Sequence, residues 1–128
     1  MHLFSYNSKH KIILGIILIA LAAYQFTGKR ESTRYFENGK PMQTGSFKDG
    51  KNHGKWVWFY PNGKKKMEGF FNNGSREGAW ITYSTEGKIE TESIYMNDKL
   101  NGKFIKRNKN GAIITELTYS DDELVQKH

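Results

Sequence analysis

The chain has no cysteine and only two prolines among its 128 residues. The absence of cysteine excludes a disulfide framework, a thiolate zinc site, a cysteine nucleophile and a lipoprotein cysteine, and it leaves the redox compartment open. Acidic residues are absent from the N-terminal part, since all thirteen lie after Arg30. Residues 29–128 carry 18 basic and 13 acidic side chains, a moderate excess of positive charge that favours acidic partners, anionic lipid included.

An uncharged run, IILGIILIALAAYQF, extends from Ile12 to Phe26 between basic flanks. As a helix, the segment between Lys11 and Lys29 would be roughly 25 Å long, slightly short of the ~30 Å hydrocarbon core. We predict that residues 12–28 are a transmembrane anchor. A cleavable signal peptide is the alternative, because Ala20-Leu21-Ala22 resembles a small-x-small cleavage site, and a buried helix is the third possibility.

These boundaries divide the chain into a basic tail at 1–11, the hydrophobic segment at 12–28, a linker at 29–34 and a domain at 35–128. With an anchor, the domain would be exported and held at the membrane of the cell envelope. With a signal peptide, it would be secreted or periplasmic.

Glycines recur at a fixed interval of 24 residues, at Gly39, Gly63, Gly87 and Gly111. Aromatic and aliphatic positions repeat in phase with them. A constant period in this range indicates stacked supersecondary units, none of which can bury its apolar face alone. The sequence therefore predicts a repeat fold in which function belongs to surfaces.

One unit reads as a β-hairpin, because side chains alternate over Gly54–Tyr60 and again after Pro61–Lys64. Asn62-Gly63 suits a two-residue type I′ turn, and the segment Asp49–Gly54 and its copies suit longer connections. The chain is thus predicted to be all-β: a single-layer antiparallel meander of about four hairpin repeats, or about eight strands, preceded by one N-terminal hydrophobic helix.

The predicted register places Trp56 opposite Gly69, so that the indole covers a glycine of its own hairpin. The same register places Trp80 opposite Ser93. We expect these positions to form an aromatic spine through the sheet. Its residues are Trp56, Trp80, Phe104, Gly69, Phe71 and Tyr95.

Two surfaces are candidates for binding. The first is a basic rim of lysines at successive short turns, which could meet an acidic protein or anionic head groups. It comprises Lys40, Lys64, Lys65, Lys66 and Lys88. The second is an aromatic patch of Trp58 and Tyr60, which occur in one copy only; they could contact a partner or pack against residues 34–42.

The usual parts of a catalytic or metal site are missing from the pattern. His53 is the only histidine inside the repeats, and Glu68, Glu92 and Glu116 are spaced too far apart to share a proton. We predict no enzyme, no cofactor, no metal and no small-molecule substrate. Nucleic acid binding is disfavoured, because an exported domain would not meet it.

The combination of Gly54-Lys55-Trp56, Asn62-Gly63-Lys64 and Gly69-Phe70-Phe71 resembles the bacterial variant of the membrane occupation and recognition nexus (MORN) repeat, over about Tyr35 to Tyr119. Some proteins of that family are labelled antitoxin components. The resemblance implies a non-catalytic repeat protein of the cell envelope that binds or scaffolds a protein partner or an anionic membrane surface. The alternative is an antitoxin-like or immunity-like protein that neutralises one specific partner.

Overall fold

A computed structural model describes residues 12–13, 15–19 and 28–128. Residues 12–13 and 15–19 are helical, and the rest of the hydrophobic segment lies outside the described residues. Within the described ranges, no helix has both the length and the apolar character needed to cross a membrane. The basic tail at 1–11 also falls outside these ranges.

The described part from Gly28 onward is one antiparallel sheet in which every strand pairs with its neighbours in the sequence. This confirms the all-β, single-layer meander. The nine strands are β1 (Arg30–Tyr35), β2 (Pro41–Lys48), β3 (Lys51–Phe59), β4 (Lys65–Asn72), β5 (Ser75–Tyr83), β6 (Ile89–Met96), β7 (Lys99–Arg107), β8 (Ile113–Ser120) and β9 (Glu123–Lys127).

Two details of the predicted organisation are wrong. A ninth strand follows the four hairpins, because the acidic residues after Ser120 form a tight turn that returns the chain along β8. The predicted linker at 29–34 is mostly strand β1, since the alternation of Glu31 and Thr33 with Ser32 and Arg34 continues the pleat of β2.

The two-residue turns lie between the hairpins, where the prediction placed the longer connections. Two-residue turns with positive φ at both central residues, as a type I′ turn requires, connect β2 to β3, β4 to β5, β6 to β7 and β8 to β9. They are Asp49-Gly50, Asn73-Gly74, Asn97-Asp98 and Asp121-Asp122. Residues 51–54, expected in a longer connection, therefore belong to β3.

The short turn at Asn62-Gly63 is a three-residue loop rather than a type I′ turn. The Gly63 amide donates to the Tyr60 carbonyl at 2.9 Å, and only Gly63 has a positive φ. Lys66 is then an extra, bulged residue, because Phe59 pairs with Lys65 and Trp58 with Met67. The bulge compensates for the longer loop, so the predicted pairing of Trp56 with Gly69 is confirmed.

The core consists of indole rings lying on glycines. A Cβ at Gly45 would overlap the ring of Trp56, and one at Gly69 would overlap the ring of Trp80. Each tryptophan thus covers the glycine of the preceding hairpin, not that of its own, which corrects the predicted contact. Trp56 is 2% exposed and Trp80 6%.

Each buried indole is also fixed by a hydrogen bond. The Trp56 Nε1 donates to the Ser46 carbonyl at 3.1 Å, and the Trp80 Nε1 donates to the Phe70 carbonyl at 3.2 Å. The acceptor is the residue after the covered glycine in both cases. The contact therefore joins consecutive hairpins through both packing and a polar bond.

The next repeat carries Ser93 and Phe104 at the positions of Gly69 and Trp80. We expect Gly69→Ser to destabilise the sheet by about 1–3 kcal/mol or more, because its side chain has no room beneath the indole. Adding Trp80→Phe recreates the Ser93–Phe104 pair and should recover part of this loss. Urea unfolding of the full chain in detergent micelles measures the coupling free energy between the two substitutions.

The single Trp80→Phe variant is the control for the lost indole hydrogen bond. Additive effects of the two substitutions would contradict direct packing of Trp80 on Gly69.

Candidate binding surface

One face of the sheet, here called the aromatic face, carries a continuous row of rings. Ring centroids are separated by 5.2 Å for Phe47–Trp56, 5.7 Å for Trp56–Trp58, 5.8 Å for Trp58–Trp80 and 6.1 Å for Trp80–Tyr95. Phe71 fits between them and meets Trp80 edge-on at 5.0 Å. Such contacts stabilise the row by about 0.5–1.5 kcal/mol per pair beyond area burial.

Trp58 was expected to stand outside the spine, and this is wrong. Its ring lies between those of Trp56 and Trp80, because residues 56 and 58 share a face of β3. Trp58 and Tyr60 do not form a separate exposed patch. Tyr60 is half-buried, and its hydroxyl donates to the Tyr83 carbonyl at 2.7 Å. The binding role predicted for these two residues remains a prediction.

A shallow groove runs along the aromatic face. Trp58, Phe71, Trp80 and Tyr95 line it, together with Arg76 from the edge of β5. The Arg76 guanidinium stacks on the Tyr95 ring, 4.0 Å from its centroid, and forms an ion pair with Asp98 of the adjacent turn. The groove therefore combines flat apolar rings with an ordered cation.

Strand pairing shows that charges are segregated between the two faces. Five cations share the register positions of the aromatic rings: Arg30, Arg34, Arg76, Lys106 and Lys127. All six carboxylates at paired strand positions belong to the opposite face: Glu31, Glu68, Glu77, Glu92, Glu116 and Glu123. Six other acidic residues lie in turns, and Glu90 lies at a bulge.

These cations were not predicted from the sequence as part of a binding surface. Lys106 occupies the repeat position of Trp58, which indicates its face. Arg76 is harder to place, because its face depends on the two-residue turn at Asn73-Gly74. The longer connection predicted there left the register of Arg76 undefined.

Three carboxylates of the opposite face form ion pairs within the sheet. Glu68 accepts hydrogen bonds from Tyr83 at 2.6 Å and Lys65 at 3.0 Å, and it contacts Lys55 at 3.1 Å. Lys103 pairs with Glu116 at 2.9 Å. Glu92 pairs with Arg107 instead, at 2.8 Å.

Glu68 and Tyr83 influence each other's ionisation. Partial burial disfavours the charged Glu68, but hydrogen bonds from Tyr83, Lys65 and Lys55 outweigh it and lower its pKa to about 2. Burial, reinforced by the neighbouring Glu68 carboxylate, raises the pKa of Tyr83 to about 12. The pair therefore keeps its native charge state over a wide pH range.

The predicted basic rim is connected along its length. The Nζ atoms of Lys40, Lys64 and Lys88 each donate to a backbone carbonyl of the next short turn, at 3.3, 3.0 and 3.0 Å. Lys66 lies over the Tyr60 ring, 5.8 Å from its centroid. These lysines, although exposed, thus hold consecutive hairpins together.

A wider cavity at this rim lies between the turns of the third and fourth hairpins. Lys88, Lys106 and Lys109 line it, together with Glu86 and Glu90. Its charge is mixed, as in the groove on the aromatic face, where Arg76 pairs with Asp98.

The effect of pH on stability follows from Glu68 and Tyr83. Because the folded pKa of Glu68 is below its unfolded value of 4.5, its contribution is present above pH 4.5 and is lost as pH falls toward 2. The raised pKa of Tyr83 contributes below pH 10, and this contribution is lost as pH rises through 12. We expect a plateau of unfolding free energy between these limits.

Glu68→Gln should reduce the acid-side loss by up to about 3 kcal/mol, as measured by urea unfolding of the full chain between pH 5 and pH 2. Glu31→Gln is the matched control, because the Glu31 side chain is 77% exposed. An unchanged acid limb in Glu68→Gln would contradict this assignment.

The model of a known family, the MORN repeat variant, matches residues 31–49, 52–73 and 76–97. No curated protein matches the chain significantly. The match gives no support to a bacterial origin or to the antitoxin label, which stay predictions. MORN repeats are a non-enzymatic class that generally binds proteins or membranes. Over its first three hairpins, the chain is thus similar to three consecutive copies of the MORN repeat variant.

Proposed function

We propose that this chain is a non-catalytic binding protein of the cell envelope that presents the aromatic face of its sheet to a protein partner. The observation that supports this most directly is the groove lined by Trp58, Phe71, Trp80 and Tyr95. In a single-layer sheet, no second layer of the described fold covers these rings. Aromatic side chains in an open groove are typical of surfaces that bind other proteins.

The aromatic face is a better candidate than the basic rim. The rim lysines bond to neighbouring turns and to Glu68, and these contacts already explain why lysine recurs at that position. Glu37 and Glu86 also lie in the short turns and reduce the positive charge of the rim. Attachment to an anionic membrane through the rim is therefore the weaker part of the sequence-based prediction.

Location in the envelope is supported by the hydrophobic segment. Residues 12–28 are almost entirely apolar, and Ile12, Ile16 and Ile19 are among the side chains there that are more than half exposed. An apolar surface of this kind requires a covering environment. We propose that a membrane provides it, with the sheet outside the cytoplasm.

Site-specific photo-crosslinking in native cells tests the proposal. A benzophenone side chain at Thr82 lies in the groove of the aromatic face, and one at Ala79 lies on the opposite face of the same strand. We expect Thr82, and not Ala79, to yield a discrete protein adduct on irradiation. Trp58→Ala should reduce the yield at Thr82, because its ring forms part of the groove.

Adducts from Ala79 alone, or from neither position, would contradict the proposal. A single stoichiometric partner whose toxicity is relieved by this chain would identify the antitoxin-like or immunity-like alternative. Several weaker envelope partners would identify a scaffold.

A further inference from the structure

We infer that the aromatic face is built for an acidic, apolar-rich protein segment that lies in an extended form across the strands. This inference rests on the proposed function and specifies the chemistry of the partner. It derives from the distribution of charge between the faces together with the placement of the rings.

The charged residues at paired strand positions of the aromatic face all have the same sign. Every charged residue paired at a ring-bearing register position is a cation, whereas on the opposite face Glu68, Glu92 and Glu116 are paired with lysine or arginine. Arg34, Lys106 and Lys127 are exposed. Asp98 of the adjacent turn also lines the groove, and it pairs with Arg76. A face whose charged strand residues are all cations repels basic segments and attracts acidic ones.

Two of these cations lie on either side of the aromatic row. Arg34 and Lys106 lie on one register line, which passes from Arg34 through Gln43, Trp58, Met67, Thr82 and Thr91 to Lys106. Six strand spacings separate them, or roughly 29 Å. An extended segment of about nine residues covers that distance.

Apolar residues lie in the middle of this line, and cations flank them. Trp58 and Met67 occupy its middle, so a segment with acidic ends and an apolar centre matches its pattern. Tryptophan, tyrosine and arginine are also the residue types that dominate the binding energy of protein interfaces. Arg76 is held by the Tyr95 ring and Asp98, so it loses little side-chain freedom when it meets a carboxylate.

The burial of the rings favours a protein segment over a bilayer. Trp80, which lines the groove, is 6% exposed, and Phe71 and Tyr95 are half-buried beside it. A narrow segment can reach these rings, whereas a flat lipid surface meets the rims first.

Peptide selection tests the inference directly. The full chain in phosphatidylcholine nanodiscs would be panned against a random library of peptides of about twelve residues, long enough for the proposed line. We expect the selected peptides to be enriched in Asp and Glu around a Leu, Ile or Phe centre, and to compete with the Thr82 adduct. Their affinity should fall as salt rises from about 0.01 to 0.15 M, because the Debye length falls from about 30 to 8 Å.

Two charge reversals in β7 provide the matched comparison. Lys106→Glu changes the aromatic face, and Lys99→Glu makes the same change of charge on the opposite face of the strand. Lys106→Glu should weaken binding of the selected peptides by at least about threefold, and Lys99→Glu should have little effect. Equal effects of both reversals would show that only net charge matters and would overturn the inference.

The outcomes separate this inference from the proposed function. If crosslinking at Thr82 gives an adduct but the selected peptides are neutral or basic, the protein-binding function stands and the acidic nature of the partner is overturned. Absence of both adduct and selected peptides overturns both. Since all three tryptophans lie on the aromatic face, their quenching by brominated phosphatidylglycerol in the nanodisc would show that lipid occupies the face instead.

Discussion

The sheet depends on one contact, the placement of an indole ring directly over a glycine in the preceding hairpin. Trp56 on Gly45 and Trp80 on Gly69 bring strands β2–β3 and β4–β5 together more closely than any side chain at the glycine would allow. The indole N–H bonds to the next carbonyl and removes the polar cost of burying the ring. A one-layer sheet has little other buried apolar volume, so these two pairs form most of its core.

This contact also determines where binding can occur. The rings that hold consecutive hairpins together lie on one face, and the remaining edges of Trp58, Phe71 and Tyr95 form its groove. Under the proposed function, the same residues therefore provide stability and recognition. The opposite face is stabilised differently, by carboxylates such as Glu68 that neighbouring hydroxyl and ammonium groups keep ionised. Arg34, Lys106 and Lys127 thus keep the aromatic face cationic, because the strand carboxylates occupy the other face, while Arg76 is paired with Asp98 of the adjacent turn.

Tight turns explain why the surface pattern repeats so regularly. The first three short turns are each fixed by a lysine that reaches the next turn, as Lys64 does to the carbonyl of Glu86. At the other rim, backbone amides reach back one hairpin, as Asp98 does to the carbonyl of Arg76. These bonds keep adjacent units in one register, and a one-residue slip would exchange the two faces. Segregated charge therefore requires accurate turns.

The sequence by itself determined the repeat, the antiparallel meander and the pairing of Trp56 with Gly69, because these follow from a fixed period and from alternation along the strand. It did not determine which glycine the indole covers, which turns are tight, or that Trp58 joins the row. Those features depend on contacts between hairpins, and a pattern within one unit carries no information about its neighbour's position. The face of Arg76 emerged only in the tertiary structure, because it depends on a turn whose length the sequence left ambiguous.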